Sequence, residues 1–249
     1  MPSGLERRAA RAIERQLAYQ ERKSARIKGH EATVIAKMKA HSAAVRARLE
    51  AVRPIAPDAH VLEVGSGAHG LIFYFGTPNG VGVDPLADRY ARMFPAWHDR
   101  ARTVTAFGES LPFAAASFDV VLCDNVVDHA ENPRRILEEI VRVMQPGALL
   151  FFEVNVHHPV YHLAAMLHAG WRALGIPFEI TPFADHTCHL TPAAARKLFD
   201  GLSLEIVEHS DTVEKVKRNA RAIAIRHAGD RLKRLFYKNA AYEVIARRT

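Results

Sequence analysis

Residues 61–70, VLEVGSGAHG, constrain this chain more than any others. An apolar strand, Val61-Leu62-Glu63-Val64, runs directly into a turn carrying Gly65, Gly67 and Gly70, and residues 71–75 (LIFYF) then read as helix. Glycine at a strand-to-helix turn leaves the backbone bare, so a ligand can lie against it where a Cβ would collide. The first turn of the next helix also offers unpaired N–H groups to an anion. The pattern is that of a nucleotide-cofactor site, and the rest of the chain must decide which cofactor.

Downstream, strand and helix patterns alternate. The spacing predicts strands over 60–65, 81–84, 103–107, 118–123 and 148–154, with helices over 86–94 and 133–144 between them. Strands separated by helical segments imply βαβ units and a parallel sheet buried on both faces. Upstream, residues 5–50 contain no proline and one glycine, Gly29. They read as two helices, the first carrying Leu5, Ile13 and Leu17 and the second Val34, Ile35, Met38, Val45 and Leu49. Beyond residue 155 the pattern loosens. Histidines and aromatics gather on a predicted helix, 177–190 reads as loop, and Thr191 with Pro192 marks a helix start. Strands over 202–208 and 242–247 bracket a basic helical stretch. The organisation expected is an N-terminal helical arm or lid (1–54) on one α/β domain (55–249), with 155–190 and 212–236 as insertions capping a substrate pocket.

The chain has 249 residues and a formal charge of +7, unevenly spread. Residues 1–50 hold 12 Lys/Arg against 5 Asp/Glu, and residues 211–249 hold 11 against 4. The middle, 51–210, holds 11 against 18. Two basic arms on an acidic body are read as solvated helix faces and arm–body contacts, with attraction of an anionic substrate or of nucleic acid as alternatives. No apolar run approaches the roughly 18–20 residues of a membrane span. The first residues lack the apolar stretch of a secretory signal, and two cysteines are too few for a disulfide framework, so a cytoplasmic location is expected.

The glycine spacing also matches the dinucleotide fingerprint GxGxxG, a weak signal by itself. Glu63, two residues before the first glycine, argues against it, because a carboxylate there would repel a pyrophosphate and favour a ligand with an amino group. Asp84 ends the second strand where a ribose diol would lie, a feature shared by both cofactor classes. Glu109, after the third strand, is placed to accept from an adenine amino group. The ordered set VLEVGSGAHG, GVDP, GESLPF, SFDVVLCDNVVDH and NPRRILEEIVRVMQPGALLFFEV resembles the class I S-adenosylmethionine-dependent methyltransferases, of the small-molecule type similar to the ubiquinone/menaquinone enzymes. The resemblance covers roughly residues 58–155, and departs from the family where His69 stands in place of the usual third glycine, with Gly70 one residue later. It implies a Rossmann-like α/β fold with a seven-stranded, mostly parallel sheet flanked by helices. It also implies that Gly65, Ser66 and Gly67 border the methionyl and ribose parts and that Glu63 lies near the methionine amino group. Asp84 and Pro85 would meet the ribose, Glu109 and Ser110 the adenine, and Asn125 the methionine side.

Methyl transfer from a sulfonium is an in-line displacement from an activated donor, so alignment is the main requirement and a hydroxyl acceptor adds the need for a base. His129, after the fourth strand, is the first candidate, because family members with a histidine there often use it so. His157 and His158, leaving the fifth strand, are the next. Tyr19 on the arm, Tyr161, His186 and His189 are candidates for contact with the acceptor. The cluster Asp185, His186, Cys188 and His189 has loose metal-ligand spacing, but no metal is expected. The function expected is methylation of an O or N atom of a small metabolite, by a monomer or homodimer. The alternatives are a nucleic-acid methyltransferase working through the basic arms and a non-catalytic cofactor-binding protein of regulation or assembly.

Overall fold

A computed structural model describes residues 4–161, 188–222, 224, 234 and 236–249. Two helices open the chain, α1 (Gly4–Ile27) and α2 (Glu31–Val52), separated at Gly29, whose φ of +84° ends the first. Then follow β1 (Val61–Val64), a 3-10 turn (Leu71–Tyr74), β2 (Gly80–Val83), α3 (Ala87–Met93), α4 (Pro95–His98), β3 (Arg102–Val104) and β4 (Phe118–Asp124). A second 3-10 turn (Val127–His129) leads to α5 (Pro133–Val143), β5 (Met144–Val156), α6 (Pro192–Lys197), β6 (Leu204–Asp211), α7 (Val213–Ala222) and β7 (Ala240–Arg248). The strands form one sheet in the order β3-β2-β1-β4-β5-β7-β6. It is parallel from β3 to β5, and β7 is antiparallel to both β5 and β6. No described helix is long and apolar enough to cross a membrane.

Every residue of β1 is buried, as a central parallel strand covered on both faces requires. On one face Leu62, Val64, Val121 and Cys123 pack against α5 through Ile136, Leu137, Ile140 and Val143. On the other, Val61, Val120, Leu122, Leu149, Phe151 and Ile245 meet α2 through Met38, Val45 and Leu49. The buried set on α2, Met38, Ser42, Val45 and Leu49, recurs every three or four residues, the stripe of a helix lying on a core. Asn132 caps α5 by accepting from the Arg135 N–H, with Pro133 in the first helical position, and Thr191 caps α6 by accepting from Ala194.

The elements match the sequence expectations with local differences. The helix expected over 86–94 is α3, and Pro95 opens a further short helix, α4, that the spacing did not predict. β5 begins at Met144 rather than 148, because Met144 pairs with Phe118 before a register shift at Gly147, where φ is +77°. β3 is shorter than expected and β6 starts two residues later.

The chain passes from β3 on one side of β1 to β4 on the other, so the turns after β1 and β4 meet at the carboxyl edge of the sheet, where ligands bind in open α/β folds. Asn125 makes this meeting possible. It adopts a left-handed conformation (φ +57°) that reverses the chain and seats Val126 on Gly65. Beneath the β1 turn lies an aromatic shelf. Trp97 donates its indole N–H to the Ala68 carbonyl at 2.7 Å, and His69 packs against Phe94 and Trp97 with ring centroids 5.1 and 5.3 Å away. His98 sits against Phe73 at 4.3 Å. The residue that sets this turn apart from the family pattern is thus a wedge into the core. α1 reaches the same shelf, with Gln16 hydrogen-bonded to Tyr90 and Lys23 close enough to His69 to disfavour its protonation.

Two predictions follow from this packing. A Cβ on Gly65 would lie 2.2 Å from Val126 Cγ2 at a φ of +73°. Gly65→Ala should therefore cost about 2–4 kcal/mol in urea unfolding, from backbone strain and overpacking together. Adding Val126→Ala should return the overpacking part alone, and a loss below about 1 kcal/mol in the single variant would contradict the geometry. Burial also lowers the pKa of both His69 and His98 to about 4. The unfolded chain binds these protons first, so their contribution is complete above about pH 6.5 and is lost as pH falls toward 4. The stability of the native chain relative to His98→Phe should decline across that window, and a constant difference would show that His98 is not held neutral.

Candidate active site at the carboxyl edge of the sheet

Glu63 is 1% exposed, and its two carboxylate oxygens accept from the backbone N–H groups of Leu71 (3.0 Å) and Ile72 (2.9 Å). It therefore ties the start of the 3-10 turn back to β1. Gly70 is the residue that permits this, since a Cβ there would fall 2.3 Å from Glu63 Oε2. Burial, reinforced by Asp124 and Asp84, pushes the Glu63 carboxyl up to about 8, while the two N–H groups pull the other way. Ser66 is buried as well, with its hydroxyl against Gly82, where a Cβ would be 2.6 Å away.

Gly67 and Asp84 form the open part of the turn. Gly67 has φ +51°, and a Cβ on it would meet only the Gly65 carbonyl at 3.8 Å and Asp84 Oδ2 at 4.0 Å. Bare backbone thus faces free space bounded by a carboxylate. Asp84 Oδ2 accepts from the Gly67 N–H at 3.0 Å and Oδ1 from the Leu86 N–H at 2.7 Å, which fixes the carboxylate at the end of β2. Each oxygen keeps a second lone pair, enough for a diol. Burial raises the Asp84 pKa against these two donors and against His129 across the cleft. Pro85 follows, half-buried. Glu109 accepts from the N–H of Glu131 at 3.1 Å and holds the loop entering α5, while Ser110 is exposed beside it. Asn125 accepts from Asn155 Nδ2 at 2.5 Å, linking the ends of β4 and β5.

The histidines expected as bases separate in space. His129 stands 40% exposed on the second 3-10 turn, its Nε2 3.8 Å from Asp128, and is near enough to Asp84 to lower its pKa. His157 is buried, its Nδ1 accepts from the Asn239 N–H at 3.2 Å, and its ring packs on His189 and Tyr161. His158 accepts at Nδ1 from the Val160 N–H and packs on Phe236 and Tyr237. His157 also binds Leu190 through the backbone, so His157, Tyr161 and His189 form one packed group beside β5. Tyr19 is 53% exposed on α1. His186 lies outside the described residues, as do Asp185 and the aromatics Trp171, Phe178 and Phe183.

One group at this edge escaped the sequence reading. Asp124, Glu153 and Glu243 stand side by side on β4, β5 and β7. Burial, with Asp124 and Glu243 adding to it, raises Glu153 to about 7. α2 answers this row with cations. Arg48 binds Glu243 at 2.5 Å and Glu208 at 2.8 Å, and His41 Nε2 lies 3.0 Å from Asp124 Oδ2. In the sequence these are an acid at the end of one apolar strand and single acids inside two others, and their common register is visible only in the sheet.

Residues 62–152 match the family model described as a methyltransferase domain. The chain is 35% identical over 95 residues to the thiol S-methyltransferase TMT1B of Rattus norvegicus, covering 36% of this chain and 35% of that protein. It is 39% identical over 100 residues to an uncharacterized methyltransferase of Mycolicibacterium gilvum, covering 39% of each. The chain thus spans little more than a third of the length of these curated relatives. Among solved structures it is similar in fold to a geranyl diphosphate C-methyltransferase of Streptomyces coelicolor A3(2) crystallised with S-adenosyl-L-homocysteine. The TM-score is 0.57 at 16% identity, over 87% of this chain and 82% of that one. The carboxylate fixed over a bare left-handed glycine suits the ribose of that cofactor class. Residues 62–152 thus match a methyltransferase domain, and the chain has a Rossmann-like fold similar to that of the class I methyltransferases.

Proposed function

We propose that the chain transfers the methyl group of S-adenosylmethionine to a small nucleophilic acceptor. The observation that carries this reading is the pairing of Asp84 with Gly67, a carboxylate oriented by two backbone N–H groups above open, Cβ-free backbone. Bound there, the cofactor supplies a methyl group on a sulfonium that leaves as a neutral thioether. The residues of the chain hold and align. Asp84 accepts from both ribose hydroxyls, and Gly65 and Gly67 allow close backbone approach. Glu109 and Ser110 border the adenine, and Asn125 lines the methionine end. Glu63 acts on the cofactor through the turn it holds, on the side of the methionine amino group. Sulfur joins oxygen and nitrogen as the acceptor atom because a relative at 35% identity is named a thiol S-methyltransferase. His129 is one candidate for receiving the proton of a protic acceptor. α1 is left as the lid over the site, because α2 is packed into the core of the sheet, and the segments 155–190 and 212–236 contribute the acceptor pocket.

Calorimetry with S-adenosylhomocysteine tests the reading. The unaltered chain should bind at micromolar concentration. Asp84→Ala should weaken binding by about 10–100-fold, the worth of one to two charge-assisted hydrogen bonds. Because Asp84 also caps the Leu86 N–H, Asp84→Asn provides a variant of the same shape, and it too should bind at least tenfold more weakly. Equal affinity in both variants would reject the assigned pocket. Release of S-adenosylhomocysteine with a small aliphatic thiol, but not with a phenol or an amine, would select sulfur.

A further inference from the structure

We propose that His41, positioned by Asp124, accepts the proton of the acceptor as it is methylated. This assignment rests on the methyltransferase reading. It brings the N-terminal helices into the chemistry rather than leaving them as a cover.

The argument begins with place. Asp124 is the last residue of β4, and the next two residues make the reversal that seats Val126 on Gly65. The dyad therefore stands on the sheet edge that carries the cofactor turn, on the side of β4 and β5 rather than the Asp84 side. His41 reaches it from α2, which is fastened over this edge. Its neighbour Ser42 donates to the Leu71 carbonyl at 2.9 Å, and Arg46 donates to the carbonyls of Phe75 and Gly76.

Chemistry follows from which nitrogen is used. His41 Nε2 faces Asp124 Oδ2 at 3.0 Å, so Nε2 carries the hydrogen and donates it. That tautomer leaves the Nδ1 lone pair as the basic position, on a side chain 49% exposed. A carboxylate fixing the tautomer of a histidine and stabilising its cation is the arrangement of a general base. The charged groups facing the ring from the sheet are Asp124, Glu153 on β5 and Glu63 on β1, all acidic. The hydrogen bond to Asp124 and these charges favour the imidazolium, and burial opposes it. Further along its own helix, Arg46 is engaged by Glu50 and the carbonyls of Phe75 and Gly76, and Arg48 by Glu243 and Glu208.

The other described histidines considered as bases are placed differently. His129 lies 3.8 Å from Asp128 and its charge is felt by Asp84, at the ribose end of the edge. His157 and His158 both use Nδ1 to accept backbone N–H groups. In the step assigned to His41, a lone pair of the acceptor atom forms the bond to the methyl carbon, and the carbon–sulfur pair stays on the departing thioether. The acceptor's bond to hydrogen breaks with its pair kept by the acceptor, and the proton passes to Nδ1. The imidazolium then returns the proton to water.

The test compares His41→Gln, Asp124→Asn and His129→Gln with the unaltered chain, using 2-mercaptoethanol (a weakly acidic thiol) and 4-nitrothiophenol (a thiol already ionised at neutral pH). Proton NMR should show the His41 ring titrating above the ordinary histidine value in the unaltered chain and lower in Asp124→Asn. That readout needs neither turnover nor cofactor. His41→Gln should keep its affinity for S-adenosylhomocysteine, lose about 100-fold or more in kcat with 2-mercaptoethanol, and recover most of it with 4-nitrothiophenol. A His41→Gln variant with full kcat on 2-mercaptoethanol and normal S-adenosylhomocysteine affinity would overturn the dyad while leaving the methyltransferase reading intact. So would loss of rate confined to His129→Gln. Failure of the unaltered chain to bind S-adenosylhomocysteine would overturn both.

Discussion

A carboxylate sealed from solvent governs the architecture of this protein. Glu63 spends both oxygens on the N–H groups of Leu71 and Ile72, donors that the start of a helical turn leaves without partners. Each such donor, buried and unsatisfied, would cost about 1–3 kcal/mol. Once Glu63 is placed, Gly70 must lack a Cβ, the loop between them must bulge, and His69 is driven down onto Phe94 and Trp97. The upper half of the same loop then has only Gly67 to offer to Asp84. One carboxyl group inside the protein thus determines where backbone is exposed outside it.

The acids of the sheet edge divide the labour by depth. Glu63 is enclosed and structural in its contacts, and Asp84 is half-buried and oriented by two donors. Asp124, Glu153 and Glu243 form a row that the second helix neutralises in part. The opposed charges of arm and body find a simple explanation in these contacts. Arg48 bridges Glu243 and Glu208, and Arg46 serves carbonyls of the 3-10 turn along with Glu50 of its own helix. On the N-terminal side, Arg46 and Arg48 are thus spent within the molecule.

What could be read from the sequence depended on the range of the interaction. Strands and helices were legible because apolar spacing and caps such as Asn132 and Thr191 act within a few residues. The cofactor turn was legible for the same reason, as was the departure at His69, although its purpose was not. Glu63 read as an acid turned toward a ligand, because a strand residue does not announce which neighbour will enclose it. The pairing of His41 with Asp124 spans 83 positions and joins a helix to a strand with no shared motif, so no local pattern could expose it. The type of small-molecule enzyme, likened to the ubiquinone/menaquinone group, rests on motifs of the cofactor half. Those motifs say little about the acceptor.

The packing of α2 has a consequence for how the molecule can breathe and be cut. Met38, Val45 and Leu49 belong to the same apolar cluster as Val61, Phe73, Phe151 and Ile245, so this helix is an inner wall of the protein rather than an appendage. α1 is joined to it through Gly29, a left-handed residue with nothing within 4 Å of where its side chain would be. Any swing that admits cofactor therefore has its natural pivot at residue 29. A shortened chain starting after that glycine gives up, among the described apolar core, Ile27 alone, whereas one starting at residue 55 bares a greasy flank of the sheet.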